Sequence, residues 1–147
     1  MEQLLISMKK TIDYNVCIKG REIISDLSEE VGIATMIYAM LDDIDNSNED
    51  VRNMTARIFS IVASTLGIPA MLPFLEEICY MKSWESRHNG VLIVNHITLL
   101  ISSASLLPYV NSLMEIIEPR LKDDNLELRY LTGFTMYGLG KAVALWN

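Results

Sequence analysis

The side chains able to do chemistry are few in this sequence, and they are widely set. The two histidines, His88 and His96, are eight residues apart. That is two helical turns, a similar face, but not the i, i+4 spacing by which one helix offers two imidazoles to a metal. Neither stands in an HExxH pattern or is followed by Glu, so no di-iron ligand set is present. Cys17 and Cys79 are distant, with no CxxC or Cys/His cluster, which fits a reducing compartment and suggests neither zinc nor a disulfide framework. No Ser/His/Asp order, Gly-rich phosphate loop or paired-acid arrangement stands out. Glu29–Glu30 and Glu76–Glu77 read as solvated helix faces, and Trp84 and Trp146 as packing residues rather than a base-stacking platform. The sequence argues against an enzyme, and no cofactor, metal or small-molecule substrate is expected.

The elements that must position these groups are helical. Of 147 residues, 50% are hydrophobic and only 7% aromatic; the apolar content is aliphatic, with nine Met, a composition suited to helix-on-helix packing. The net charge of −7 is uneven: residues 1–50 hold four basic and eleven acidic side chains, the remainder eight of each. Contact with nucleic acid would therefore use a local patch and not the overall field. Residues 1–12 carry Glu2, Lys9 and Lys10 and do not read as a signal peptide. The stretch Val91 to Val110 has the length of a membrane span and no Asp, Glu, Lys or Arg. Its Asn95, His96, three Ser and Pro108 instead favour a buried helix followed by a turn.

The sequence repeats itself. VCIKGREII (16–24), VRNMTARIF (51–59), SRHNGVLIV (86–94) and LRYLTGFTM (128–136) align without gaps, with second positions 35, 35 and 42 residues apart. Their fifth positions are small (Gly20, Thr55, Gly90, Thr132) and their eighth and ninth mostly aliphatic, as for one helix repeated with close neighbours. GIATMIYAML (32–41), GIPAMLPFLEEI (67–78) and SLLPYVNSLMEII (105–117) form a second set. Gly32 and Gly67 suit αL positions past helix ends, with Pro69 and Pro108 in the first turns that follow. The polar turn 42–50 supplies a cap for a helix beginning near Asp50 or Val51, and Asp123 to Asn125 for the last helix. The spacing predicts an all-α, right-handed superhelical stack of four HEAT-type antiparallel pairs in a single domain over 1–147, with repeats near 1–31, 32–66, 67–104 and 105–147. The paired helices are 1–12 with 15–30, 33–43 with 49–66, 68–81 with 84–102, and 106–121 with 125–144. No polar capping helix stands at either end, so a segment of a longer array or a self-associating chain is expected.

Arg52, Arg87 and Arg129 recur near the starts of successive second helices, placing them on one edge about 10 Å apart. Two readings stand side by side. They pair with turn carboxylates such as Asp50, Glu85 and Asp124 and staple the repeats, or they form a row of donors for phosphates or an acidic partner helix. His88 reads as a surface residue or a hydrogen bonder at the core edge.

The runs GREIISDLSEEVGIATMI (20–37), DIDNSNEDVRNMTARIFSIVASTLGIPAMLPFLEEIC (43–79), SWESRHNGVLIV (83–94) and SLMEIIEPRL (112–121) closely resemble the HEAT-repeat region of the largest subunit of splicing factor 3b. The likeness covers about residues 15–142. It implies a nuclear, non-catalytic scaffold of pre-mRNA splicing within the U2 small nuclear ribonucleoprotein, with other splicing factor 3b subunits, spliceosomal proteins and the intron branch-site region as partners. Carried over by position, it implies a ridge facing RNA or protein at Arg52, Asn53, Arg57, Arg87, His88, Asn89, Glu127 and Arg129. Two departures weaken the RNA side of this expectation: Leu92 and Glu127 stand where the family commonly has lysine, removing two cations from the ridge. A general protein-protein adaptor without direct RNA contact is the alternative.

Overall fold

The computed structural model describes Asp26 and residues 32–144, and every regular element among them is a helix. Apart from Asp26, the expected first pair, 1–12 with 15–30, lies outside the described residues, as do Cys17, Gly20 and Trp146. The elements are α1 (Ile33–Leu41), α2 (Glu49–Leu66), α3 (Ile68–Cys79), α4 (Trp84–Leu100), the single turn α5 (Ser103–Leu106), α6 (Val110–Ile117) and α7 (Leu126–Ala144). Short 3₁₀ turns at Leu107–Tyr109 and Glu118–Lys122 flank α6.

The helix ends follow from local chemistry. Asn48 caps α2 by accepting from the Asp50 N–H at 2.8 Å, so the helix spans the 49–66 read from the sequence. Asn125 accepts from the Leu128 N–H at 3.0 Å, bearing out the cap expected for the last helix. Gly32 and Gly67 do adopt positive φ, 81° and 97°, but with ψ of 147° and 145°. They lie in the extended region open essentially to glycine and not in αL as expected. Pro69 falls in the first turn of α3. The continuous helix expected over 106–121 is instead divided, because Pro108 and Pro119 each sit at the start of a 3₁₀ turn, where the missing N–H and fixed φ interrupt regular α pairing.

α4 is the central element: it packs most extensively against α2 on one side and α7 on the other, and also against α3. α3 in turn meets α6, and Tyr38 of α1 meets Phe74 of α3 edge to face with centroids 5.9 Å apart. The described helices thus sort into two layers, α2–α4–α7 and α1–α3–α6. Phe59, Met71, Leu75, Ile78, Val94, Ile97, Leu113, Leu128 and Leu139 fill the space between them. α4 is buried on several sides through Val91, Ile93, Val94 and Ile97, which explains why its sequence looks apolar all round. It ends at Leu100, and Ser102 caps the next turn; no helix among the described residues is long and apolar enough to cross a membrane.

The small fifth positions behave as expected. Thr55 and Thr132 are buried and return their hydroxyls to the carbonyls of Val51 and Leu128 at 2.8 and 2.7 Å. At Gly90 a Cβ would stand 2.6 Å from Cys79 Sγ and 3.3 Å from the Cys79 backbone nitrogen. Part of that obstacle is backbone and cannot rotate away. Gly90→Val is therefore expected to destabilise the protein by about 1–3 kcal/mol, the range for overpacking a filled core, read as a lower thermal midpoint. An unchanged midpoint would rule out the close α3–α4 approach.

Candidate nucleic-acid interface

Each arginine of the ladder is the fourth residue of its helix in the α2–α4–α7 layer, and each turns its guanidinium back to the loop before that helix. Arg52 Nη1 donates to the Asn46 carbonyl at 2.6 Å. Arg87 Nη1 donates to the carbonyls of Met81 and Lys82 at 3.0 and 2.6 Å. Arg129 Nη1 donates to those of Asp123 and Asp124 at 2.6 and 3.2 Å. The repeated partner is thus a turn carbonyl and not the carboxylates of Asp50, Glu85 or Asp124. Irregular turns leave carbonyls without backbone partners, and a cationic donor meets them with a bond stronger than a neutral one.

One carboxylate does join in, and it comes from the next hairpin. Arg87 Nε and Nη2 donate to Asp123 Oδ2 and Oδ1 at 2.7 and 3.2 Å, a fork-on-fork pair that ties α4 to the turn preceding α7. Arg120 Nη1 adds a bond to Asp123 Oδ2 at 3.1 Å, and the Asn125 N–H donates to Oδ1 at 3.1 Å. Burial by itself would raise the Asp123 pKa. The hydrogen bonds from Arg87 and the Asn125 N–H, with the charges of Arg87 and Arg120, outweigh it and hold the carboxyl below its ordinary value.

Asn89 also leaves the expected ridge, because it is fully buried. Its Nδ2 donates to the Ile44 carbonyl at 2.7 Å and the Arg52 carbonyl at 3.1 Å, joining α4 to the turn after α1 and to the first turns of α2. Two carbonyl partners fix the amide nitrogen inward, and Oδ1 is left buried without a protein partner. Its role here is to hold elements together. The sequence signal was available: Asn89 stands four residues before the aliphatic Ile93 and three after Ser86, both buried on the packed side of the helix.

Of the remaining residues, Arg52 and Glu127 lie near His88, and Asn53 and Arg57 line one hollow with Leu92 and His96. Asn53, Arg57 and Glu127 are exposed. The Arg52 guanidinium lies over the Trp84 ring at 5.9 Å, and Trp84 meets the half-buried His88 edge to face at 6.1 Å. Trp84 is thus a packing residue, as read, but one that seats a cation. Burial lowers the His88 pKa; Glu127 and Glu49 oppose that shift and Arg52 reinforces it. Beside this cluster a hollow of about 470 Å³ opens between α2 and α4, lined by Asp50, Asn53, Met54, Arg57, Leu92 and His96. No group of three or more His, Cys, Asp or Glu side chains able to hold a metal occurs among the described residues.

These features define a class: an all-helical protein in which three helices each carry, as their fourth residue, an arginine that donates to the turn before it. Two relatives make the class particular. The chain is 46% identical over 131 residues to the U2 snRNP component prp10 of Schizosaccharomyces pombe, covering 88% of this chain and 11% of that protein. It is 36% identical over 141 residues to the U2 snRNP component HSH155 of Saccharomyces cerevisiae, covering 94% of this chain and 14% of that one. No family profile matches the chain. The chain is a homologue of these U2 snRNP components, which bears out the resemblance to the largest subunit of splicing factor 3b.

The Asp123 junction gives a pH prediction. A carboxyl whose folded pKa is depressed contributes stability that is present above its unfolded pKa, near 3.9, and lost as pH falls through the lower folded value. Asp123→Asn is expected to cost about 3–5 kcal/mol at neutral pH, since it leaves Arg87 short of its paired charge. The gap between wild type and variant should narrow in chemical melts below about pH 4. A gap that stays constant from pH 7 to pH 3 would show that the ion pair does not stabilise the fold.

Proposed function

We propose that this chain is a non-catalytic scaffold segment of the pre-mRNA splicing machinery, acting in the nucleus as a stack of HEAT-type helix pairs over residues 1–147. What carries the reading is the likeness to two U2 snRNP components across 88% and 94% of the chain. The geometry supports it: the repeated arginine contact and the Arg87–Asp123 junction fix one hairpin to the next, as a surface that must hold extended partners requires. Its partners on this reading are other splicing factor 3b subunits, spliceosomal proteins and the intron near the branch site. The ladder arginines serve this function by rigidity, with their donors turned to the turns.

One observation favours the adaptor alternative, in which only proteins are bound. The ridge beside His88 carries Glu49, Glu127 and the half-buried Leu92, an acidic and apolar surface able to seat a basic helix. The two readings part in the cell. Immunoprecipitation of the intact protein from extract of its own cells is expected to enrich U2 small nuclear RNA several-fold over U1 RNA, measured by reverse transcription and quantitative amplification. Equal recovery of the two RNAs would overturn the splicing assignment and leave the adaptor reading.

A further inference from the structure

One face of α7 is apolar and open. Tyr130, Phe134 and Tyr137 are 72%, 66% and 64% exposed, and Leu126 is 52% exposed, a contiguous patch of the kind that marks an interaction site. The face also carries a register. Leu126, Tyr130, Gly133, Tyr137, Gly140 and Ala144 follow one another at intervals of four and three residues and are all exposed, which is the spacing of a coiled-coil seam. Along it large and small side chains alternate, each tyrosine followed by a glycine. Nothing inside the molecule requires these two glycines. Glycine within a helix is destabilising relative to alanine, yet a Cβ at Gly140 would meet nothing within 4 Å, and one at Gly133 only Leu121 Cδ2 at 4.0 Å. On one flank of the seam Glu127 and Lys141 stand seven residues either side of Phe134, and Lys141 Nζ lies over the Tyr137 ring at 4.9 Å, so its charge is held at the seam.

We propose that this face is a homodimer interface, on which α7 of a second copy docks antiparallel about a two-fold axis passing beside Phe134. Reversal about that axis lays Tyr130 against the partner's Gly140 and Tyr137 against the partner's Gly133, each ring filling the gap that a missing side chain leaves. Leu126 falls against the partner's Ala144, and every contact occurs twice, as an isologous interface requires. Glu127 of each copy comes beside Lys141 of the other, an attraction at both ends of the seam. A parallel pair instead sets tyrosine against tyrosine and glycine against glycine, alternating crowded rings with voids. The seam is thus complementary to its own reverse, and this commits the occupant to a second copy. Three aromatic side chains about two-thirds exposed offer roughly 400 Å². Leu126 and the stem of Lys141 bring each copy to about 500 Å², so the pair buries about 1,000 Å² in all, the lower limit for a specific interface. The dimer is accordingly weak, with a Kd on the order of micromolar. α7 meets its own fold through the opposite side, at Leu128, Thr132, Thr135, Leu139 and Ala142, so docking disturbs no native packing. The proposal stands independently of the splicing reading.

The test is sedimentation equilibrium of the full chain from about 1 to 200 µM, a range that spans the affinities of so small an interface, with thermal midpoints taken on the dilute protein. A monomer–dimer equilibrium is expected. Gly133→Leu and Gly140→Leu fill the gaps and should each raise the Kd about ten-fold or more. Their midpoints in dilute solution should stay level or rise, since leucine favours a helix over glycine and its Cβ has room. Lys141→Glu should weaken the dimer several-fold by opposing like charges. Adding Glu127→Lys to it should restore the affinity, because antiparallel docking again pairs opposite charges. A well-folded chain that stays monomeric throughout overturns the proposal and leaves the face to a different protein segment. A dimer indifferent to both glycine variants, or not restored by the double change, overturns this register. Species that keep growing beyond two copies overturn the two-fold arrangement in favour of head-to-tail stacking.

Discussion

The contact on which the rest of this structure depends is the reach of a helix's fourth residue, an arginine, back to the carbonyls of the turn that precedes it. A stack of hairpins has its weakest points in its turns, where chain direction reverses and backbone acceptors lose their regular partners. Placing a guanidinium there answers several acceptors with one side chain: Arg87 meets two carbonyls with Nη1 and still pairs Asp123 with Nε and Nη2. Lysine could not do the same, because a point charge has no fork to divide between a backbone turn and a neighbouring carboxylate. The turn is thereby fixed relative to its helix, and at Asp123 relative to the next hairpin as well.

The second constraint is the position of α4 between two others. A helix flanked by α2 and α7 and backed by α3 has no wide solvated face, so its polar residues must be satisfied within the protein. Asn89 meets this by donating to two carbonyls of the neighbouring elements, while Gly90 lets α3 approach to a distance at which a Cβ would not fit. The same crowding buries Cys79, whose thiol pKa is pushed up to about 12 by desolvation, against a lowering by the Arg120 charge. That thiol stays protonated at neutral pH, an apolar filler where α3 meets α4.

Much of this was legible in the sequence because repeats expose a fold's logic several times over. The alignment of 51–59, 86–94 and 128–136 placed the arginines, the small fifth positions and the buried eighth positions correctly, and the Asn and Asp turns gave the caps. What periodicity could not give was the partner of each arginine. Carboxylates stand out in a sequence, whereas backbone carbonyls belong to every residue, so Asp50, Glu85 and Asp124 were the visible candidates and the turn carbonyls the actual ones. Helix 106–121 was read as continuous because its apolar spacing outlasts its prolines. The structure shows that the fixed φ of Pro108 and Pro119 sets the local geometry, not the hydrophobic pattern. Asn89 was placed with its surface neighbours by resemblance, although on a helix each successive residue turns about 100° and neighbours in sequence do not share a face.

The same accounting bears on how an acidic chain could meet RNA at all. With a net charge of −7 the long-range field opposes a polyanion, so any contact must be local, and locality requires a cation not already neutralised by its own fold. Counting arginines overstates the supply, because a guanidinium held by carbonyls and a carboxylate has few donors left and would have to break native bonds to reach a phosphate. Exposure and lack of a partner, rather than number, therefore rank the candidates. By that measure, and among the described residues, the exposed second arginine of the VRNMTAR run counts for more at the surface than the first, whose repetition made it the conspicuous one. Repetition along a stack marks what every turn needs in order to stand, and a function specific to one repeat is better sought where the pattern is not repeated.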